Sequence, residues 1–281
     1  MTIAAVNPRY QLDDESLISA ARQQMHTEGV CVLPEFLAST AVRDMVVECD
    51  SLAPLAHRSA PRRNPYLTRA TSGGAPTAEA VLYDSLEVLA YDQFPTTSAL
   101  RRLYESDDLL RFIRRCLGLD ALHRYADPFG ALNVSIMRDG DVLDWHFDMT
   151  DFVVSIALQS SRSGGDFENA PLIHDSGEHA IAALLHGDRS AVRVEPMTPG
   201  TLMLFNGRRS MHRVSPIGGP IPRYVALLAY DTTPGTDSTD ELKLSRYGRL
   251  PAPHVAANKG RDNDSSSGHH HEPNGGRNAG A

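Results

Sequence analysis

The stretch Asp144-Trp145-His146-Phe147-Asp148-Met149-Thr150-Asp151-Phe152 runs directly into the apolar Val153-Val154-Ser155-Ile156-Ala157-Leu158, and it constrains the fold of this chain more than any other segment. An apolar, β-branched run of that kind reads as a buried strand. Side chains alternate along a strand, so His146 and Asp148 are predicted to share a face, with Cα atoms about 7 Å apart. At that spacing an imidazole and a carboxylate can converge on one metal ion. The tripeptide alone is weak evidence, because a His beside an Asp is more often a hydrogen-bonded pair.

The second half of the chain adds to it. Leu202-Met203-Leu204-Phe205 is a further strand-like run, and His212 follows in Gly207-Arg208-Arg209-Ser210-Met211-His212-Arg213-Val214. Arg223 then opens Arg223-Tyr224-Val225-Ala226-Leu227-Leu228-Ala229-Tyr230. Two His and one carboxylate on neighbouring strands make the facial triad of a non-haem Fe(II) oxygenase, which leaves coordination positions open. A guanidinium presents a planar fork matched to a carboxylate, so Arg223 is predicted to anchor the far end of a keto acid chelating the iron.

With His146-x-Asp148, the distant His212 and then Arg223, the chain resembles the Fe(II)/2-oxoglutarate-dependent oxygenases. More narrowly, Trp145-His146-Phe147-Asp148, Gly164-Gly165-Asp166-Phe167-Glu168, the Gly207–Val214 segment and Leu227-Leu228-Ala229-Tyr230-Asp231 are similar to the bacterial free-amino-acid radical halogenases and their hydroxylase relatives. The resemblance covers roughly residues 85–235. It implies a mainly β fold with α, a double-stranded β-helix (jelly-roll, cupin-like) core backed by N-terminal helices. It implies Fe(II), 2-oxoglutarate and O2 as cofactors, with His146, Asp148 and His212 as metal ligands and catalytic centre and Arg223 on the distal carboxylate of 2-oxoglutarate. It makes Asn133 a candidate for the cosubstrate end and Asp127 a candidate for a substrate amine. In the halogenases of this group a small residue replaces the carboxylate and frees a site for chloride. Asp148 stands at that position here, so the expected reaction is hydroxylation of an unactivated C–H bond in a small molecule, a free amino acid or close derivative. Lysine-acting relatives carry an acidic group directly after that position; here Met149 stands there, which points to a less basic or bulkier substrate side chain.

The rest of the sequence bounds this reading. A chain of 281 residues with 41% hydrophobic content suffices for one large domain. That domain is expected over 1–255, with an N-terminal helical cover at 1–120 and the β-helix core at 121–235. A Ser/Gly/Asn-rich tail at 256–281 is expected to be disordered. The net charge of -8 offers no basic face and argues against nucleic acid or an anionic membrane as partner. No apolar run approaches a membrane span, and the N-terminus lacks the build of a signal peptide. Cys31, Cys49 and Cys116 are odd in number and widely spaced, which argues against a disulfide framework and for a reducing, cytoplasmic setting.

Helices are expected over 14–28 and 37–52 around a short strand that starts at Gly29 and ends at Pro34, and a single helix over 99–117. The Pro- and Gly-rich stretch 53–77 reads as a long loop whose Arg62, Arg63 and Arg69 are expected first as solvated loop charges, with contact to an anionic substrate group on closure as the alternative. Strands are expected over 122–125 and 130–137, the latter joined through the Asp139-Gly140 turn to the metal strand as a hairpin. Further strands are expected over 192–194 and 202–205. A short helix within 237–250 is expected to lay Leu242, Leu244, Tyr247 and Leu250 over the barrel mouth. His174, His179 and His186 are irregularly spaced and read as surface residues. Two other classes stay open. A zinc hydrolase can use two His and a carboxylate, although it has no use for Arg223. A sensor, or an oxygenase relative without activity, would keep the metal-binding barrel and lack turnover.

Overall fold

Helical spacing dominates the first part of the chain and alternation the rest. The computed structural model describes residues 3–60, 62–63, 65–66 and 82–252. Helix α1 (Glu15–Glu28) starts where the Asp14 side chain accepts the Ser16 N–H, and it stops at Gly29, whose φ of 69° lies in the left-handed region. It is followed by β1 (Val30–Leu33), α2 (Ser39–Leu52) and the short strands β2 (His57–Ser59), β3 (Arg62–Arg63), β4 (Leu82–Tyr83) and β5 (Leu86–Leu89). Helices α3 (Ala99–Glu105) and α4 (Asp107–Leu117) occupy the span expected as one helix. Ser106 divides them. Its N–H donates to the Leu103 carbonyl and closes α3, while its hydroxyl accepts the Leu109 N–H and caps α4. Apolar spacing continues across the break, so periodicity does not reveal it.

The strand-rich part begins with β6 (His123–Arg124), β7 (Leu132–Met137), β8 (Leu143–His146) and β9 (Val153–Gln159), then β10 (Ser163–Gly164) and β11 (Phe167–Ala170). It ends with α5 (Glu178–Leu185), β12 (Arg193–Glu195), β13 (Leu202–Phe205), β14 (Met211–Val214), β15 (Ile217–Gly218), β16 (Arg223–Leu228), β17 (Tyr230–Asp231) and α6 (Asp240–Tyr247). A seven-stranded sheet in the order β1-β13-β9-β16-β7-β5-β2 packs against a four-stranded one in the order β12-β11-β14-β8. These two antiparallel sheets are the jelly-roll core.

Alternation gives the central strands of the large sheet two buried faces. Leu132, Val134, Ile136, Val154, Ile156, Leu158, Leu202 and Leu204 pack with Ile18, Met45 and Phe112 of the helices. On the other face, Met137, Met203 and Phe205 join Phe167 and Val214 of the small sheet. Burial on both sides explains why these strands read as continuous apolar runs. Each large side chain so buried contributes roughly 1.5–3 kcal/mol.

The expected hairpin at Asp139-Gly140 does not form. β7 pairs with β5 and β16, whereas β8 pairs with β14. The chain changes sheets there, with Gly140 at a φ of 82°. Nor does the metal motif continue into the apolar run: β8 ends at His146, and the polar Asp148-Met149-Thr150-Asp151 carries the chain across to β9 in the opposite sheet. Within the expected 53–77 loop, β2 forms the edge of the large sheet by pairing with β5. Helix α6 forms as expected and buries Tyr247, but the inward face is shared with Lys243 rather than with Leu244 and Leu250. Lys243 and Tyr247 are buried, Lys243 with its ammonium 2.7 Å from Asp237, while Leu244 and Leu250 are 49% and 43% exposed.

The chain up to Leu250 is one compact unit, and beyond it residues 251 and 252 are described. The expected boundary at 255, the tail at 256–281 and Arg69 lie outside the described residues, as do the side chains of Arg62 and Arg63. Cys31, Cys49 and Cys116 are buried and free. Among the described residues no helix is long and apolar enough to cross a membrane.

Candidate metal centre

His146 ends β8 and sits directly opposite His212 of β14 in the antiparallel register. Their ring centroids are 4.3 Å apart. The register shifts between His212 and Val214, an irregularity of the kind that re-aims a side chain. Each Nδ1 meets a backbone carbonyl two residues back, that of Asp144 at 2.7 Å for His146 and that of Ser210 at 2.9 Å for His212. A carbonyl only accepts, so each Nδ1 carries the proton and each Nε2 keeps its lone pair for a metal. The two Nε2 atoms lie 3.8 Å and 3.2 Å from the two carboxylate oxygens of Asp148. One ligand atom from each of the three residues lies within 4.8 Å of the others.

Asp148 lies beyond the end of its strand, so alternation does not bring it in. Its N–H donates to the Gly207 carbonyl at 3.0 Å. A Cβ on Gly207 would sit 2.6 Å from Asp148 Oδ2 and 2.9 Å from both Asp148 Cβ and Val153 Cγ2. The absent side chain is what admits the carboxylate. Gly207→Ala is therefore expected to displace Asp148 and weaken Mn(II) or Fe(II) binding by about tenfold or more, as calorimetric titration against wild type would measure.

The electrostatics already suit a metal. Burial, reinforced by the neighbouring His212, holds the His146 imidazole down at about 4. Burial pushes the Asp148 carboxyl up, but the charge and hydrogen bond of His212 and the charge of His146 outweigh it and leave it at about 2. At neutral pH both groups are in the deprotonated form that coordination demands. Two imidazole nitrogens and one carboxylate fit a facial Fe(II) site, and they are also donors that zinc accepts.

The flanking residues explain the Trp-His-Phe order. Phe167 and Phe205 face inward, with ring centroids 5.4 and 4.8 Å from that of His212. Trp145 and Phe147 face outward and pack with Met211, Ile181 and Leu184. The Arg213 guanidinium lies 5.0 Å from the centre of the Trp145 ring and is itself held by Glu168 at 2.9 and 3.0 Å. The strand thus alternates anchor, ligand, anchor.

Arg223, the first residue of β16, is 7% exposed, and none of the described residues hydrogen-bonds or ion-pairs with it. Burial pulls its guanidinium down to about 10, with Asp166 opposing, so it remains a cation at neutral pH. Gly165 leaves room for its stem: a Cβ there would lie 3.0 Å from Arg223 Cδ.

The remaining candidates are more dispersed. Asn133 is buried and its amide is engaged, donating to the Phe129 and Gly130 carbonyls at 3.3 and 3.1 Å and accepting from the Tyr247 hydroxyl at 2.6 Å. It pairs with Leu227, so Arg223 lies about 13 Å further along the sheet at the usual rise per residue. Asp127 is buried; its Oδ1 accepts the Phe129 N–H at 2.8 Å, and its Oδ2 has no hydrogen-bond partner among the described residues. Met149 is 61% exposed, with its carbonyl bonded to Arg208. His174, His179 and His186 are exposed, as expected. Sequence reasoning gave no site role to Gly207, Phe167 and Phe205. Of these only Gly207 carried a local signal, the Asn206-Gly207 turn dipeptide.

Comparison with curated protein sequences gives no match. Among solved structures the chain is similar to the non-heme alpha ketoglutarate dependent epimerase SnoN from nogalamycin biosynthesis, with a TM-score of 0.54 and 15% identity over 77% of this chain and 81% of that one. It is similar to a prolyl hydroxylase from Trichoplax adhaerens, solved with a hypoxia inducible factor peptide, with a TM-score of 0.53 and 19% identity over 78% and 90%. A third likeness is to an oxidoreductase of the 2OG-Fe(II) oxygenase family from Burkholderia pseudomallei, with a TM-score of 0.50 and 16% identity over 79% and 94%. These three share the fold. The Halogenase D family matches residues 12–243, most of the sequence, and the chain belongs to that family.

Proposed function

We propose that this chain is an Fe(II)- and 2-oxoglutarate-dependent dioxygenase that hydroxylates an unactivated C–H bond of a small molecule, a free amino acid or close derivative. The observation that carries the reading is Arg223, a buried cation without a partner among the described residues, in the same fold as the His146, Asp148, His212 cluster. Burying a charge is costly unless something pairs with it. The distal carboxylate of 2-oxoglutarate is such a partner, and a zinc hydrolase has no need of one.

In this reading His146 Nε2, His212 Nε2 and Asp148 hold the iron. Bound iron supplies the oxygen chemistry, coupled to oxidative decarboxylation of 2-oxoglutarate, that breaks the C–H bond. The protein positions and shelters the reactants. Arg223 clamps the keto acid through a bidentate pair. The Asp144 and Ser210 carbonyls fix the two imidazoles, and Phe167 and Phe205 shield His212. Asp148 fills the position that halogenases leave to chloride, which directs the outcome to hydroxylation. The unpartnered Oδ2 of Asp127 supports a role in receiving a substrate amine, and the exposure of Met149 beside Asp148 supports one at the substrate. Arg69 is assigned to the substrate by its loop alone. Asn133 reaches cosubstrate only by releasing the Tyr247 hydroxyl. The three free, buried thiols support a reducing cytoplasmic setting.

Oxygen-dependent release of succinate from 2-oxoglutarate by the iron-loaded protein tests the reading. Turnover stimulated by one member of an amino-acid panel is the expected result. No stimulation by any member would remove the amino-acid substrate, and no decarboxylation at all would remove the oxygenase.

A further inference from the structure

The ladder between the two strands that carry the histidines is interrupted beside them, and side chains on the outer face bridge the interruption. His212 pairs with His146 and Val214 with Leu143, so Arg213 alone on β14 stands opposite both Asp144 and Trp145 on β8. The amides of those two residues bond elsewhere. The Asp144 N–H donates to Asp84 Oδ1 at 3.1 Å, and the Trp145 N–H donates to Asp144 Oδ1 at 3.3 Å. Backbone pairing therefore does not hold Trp145, the residue before His146, against β14.

The Trp145 ring crosses that gap. It is 4% exposed, and its Nε1 makes no hydrogen bond among the described residues, so its orientation rests on packing and on two guanidinium groups. Arg213 lies 5.0 Å from the ring centre and Arg189 5.2 Å. Both are fixed in turn. Arg189 donates to the Leu184 and Asp188 carbonyls at 2.6 and 3.1 Å, which ties the ring to the end of α5. Arg213 is the register partner of Glu168 and bonds both of its carboxylate oxygens. One chain of contacts, Glu168 to Arg213 to Trp145, thus spans β11, β14 and β8. His212 precedes Arg213 in sequence and His146 follows Trp145, each pointing to the opposite face.

We propose that Arg213 is a positioning residue of the metal centre: held by Glu168, it fixes Trp145 across the interrupted ladder and so sets His146 against His212. It touches neither metal nor substrate. The proposal rests on the reading of His146, Asp148 and His212 as metal ligands.

The test is calorimetric Mn(II) binding to the full chain, read beside thermal melts of the metal-free protein and the fluorescence anisotropy decay of Trp145, the chain's only tryptophan. Arg213→Leu is expected to weaken Mn(II) binding about 10- to 100-fold and to give Trp145 a fast local motion absent from wild type. Arg213→Lys keeps a charge near the ring without the planar fork, and it should recover part of both. In the exchanged pair Glu168→Arg with Arg213→Glu the ion pair is kept, but the guanidinium stands on β11, one strand further from Trp145. Its melting temperature should recover relative to Arg213→Leu, and its Mn(II) affinity should not. Wild-type Mn(II) affinity in Arg213→Leu overturns the proposal. So does an exchanged pair that regains affinity together with melting temperature, which would leave the ion pair a structural role alone. Should Arg213→Leu not fold, Arg213→Lys decides, and wild-type affinity beside a loosened Trp145 overturns the proposal. A wild-type chain that binds no Mn(II) overturns the reading of the three ligands itself, and the proposal with it.

Discussion

Arg223→Leu is expected to give a chain at least as stable as wild type that binds 2-oxoglutarate about a hundred- to a thousand-fold more weakly. The two effects have one cause. The guanidinium is 7% exposed and no described residue neutralises it, so the protein without cosubstrate carries the full desolvation cost of that charge. An apolar side chain of similar length removes that cost, and the melting temperature should hold or rise. The same change deletes a desolvated, bidentate partner for a carboxylate, a loss of several kcal/mol at roughly tenfold per 1.4 kcal/mol. Thermal melts and calorimetry with 2-oxoglutarate read the two halves separately. Unchanged 2-oxoglutarate affinity would place the carboxylate elsewhere, and a large drop in melting temperature would make Arg223 a structural residue.

Asp148→Gly is expected to lose hydroxylation by about a hundredfold or more and to open a coordination position to chloride. The carboxylate is the one anionic ligand of the cluster, and Gly207 leaves space for it at 2.6 Å from where a Cβ would stand. Losing a ligand should cost at least as much as losing its supporting hydrogen bond, for which 10- to 100-fold is usual. Product analysis by mass spectrometry, with and without chloride, distinguishes hydroxylated from chlorinated material. Wild-type hydroxylation rates in Asp148→Gly would remove Asp148 from the ligand set.

Much of this was legible because the chemistry restricts residue type. His, carboxylate, His and then Arg is a short list, and the runs Val153–Leu158, Leu202–Phe205 and Arg223–Leu228 read as buried strands and form them. What stayed hidden depends on the third dimension. The Asp139-Gly140 signal suggests a hairpin, yet β7 and β8 belong to opposite sheets, because each has better partners from distant sequence. Ser106 interrupts a helix without interrupting its apolar spacing. Asp148 is brought in by the Gly207 backbone rather than by alternation, although alternation suggested the right face. The amide of Asn133 looks available in sequence and is occupied by Tyr247, more than a hundred residues later.

Anaerobic titration of the purified chain with Fe(II) and then 2-oxoglutarate, followed by visible absorption, tests the central claim most directly. A keto acid chelating iron held by His146, Asp148 and His212 is expected to give a metal-to-ligand charge-transfer band that saturates with one equivalent of each. The band should vanish in His212→Ala, and in Arg223→Leu it should need a far higher 2-oxoglutarate concentration. A wild-type protein that binds Fe(II) and shows no such band at saturating 2-oxoglutarate would contradict the account.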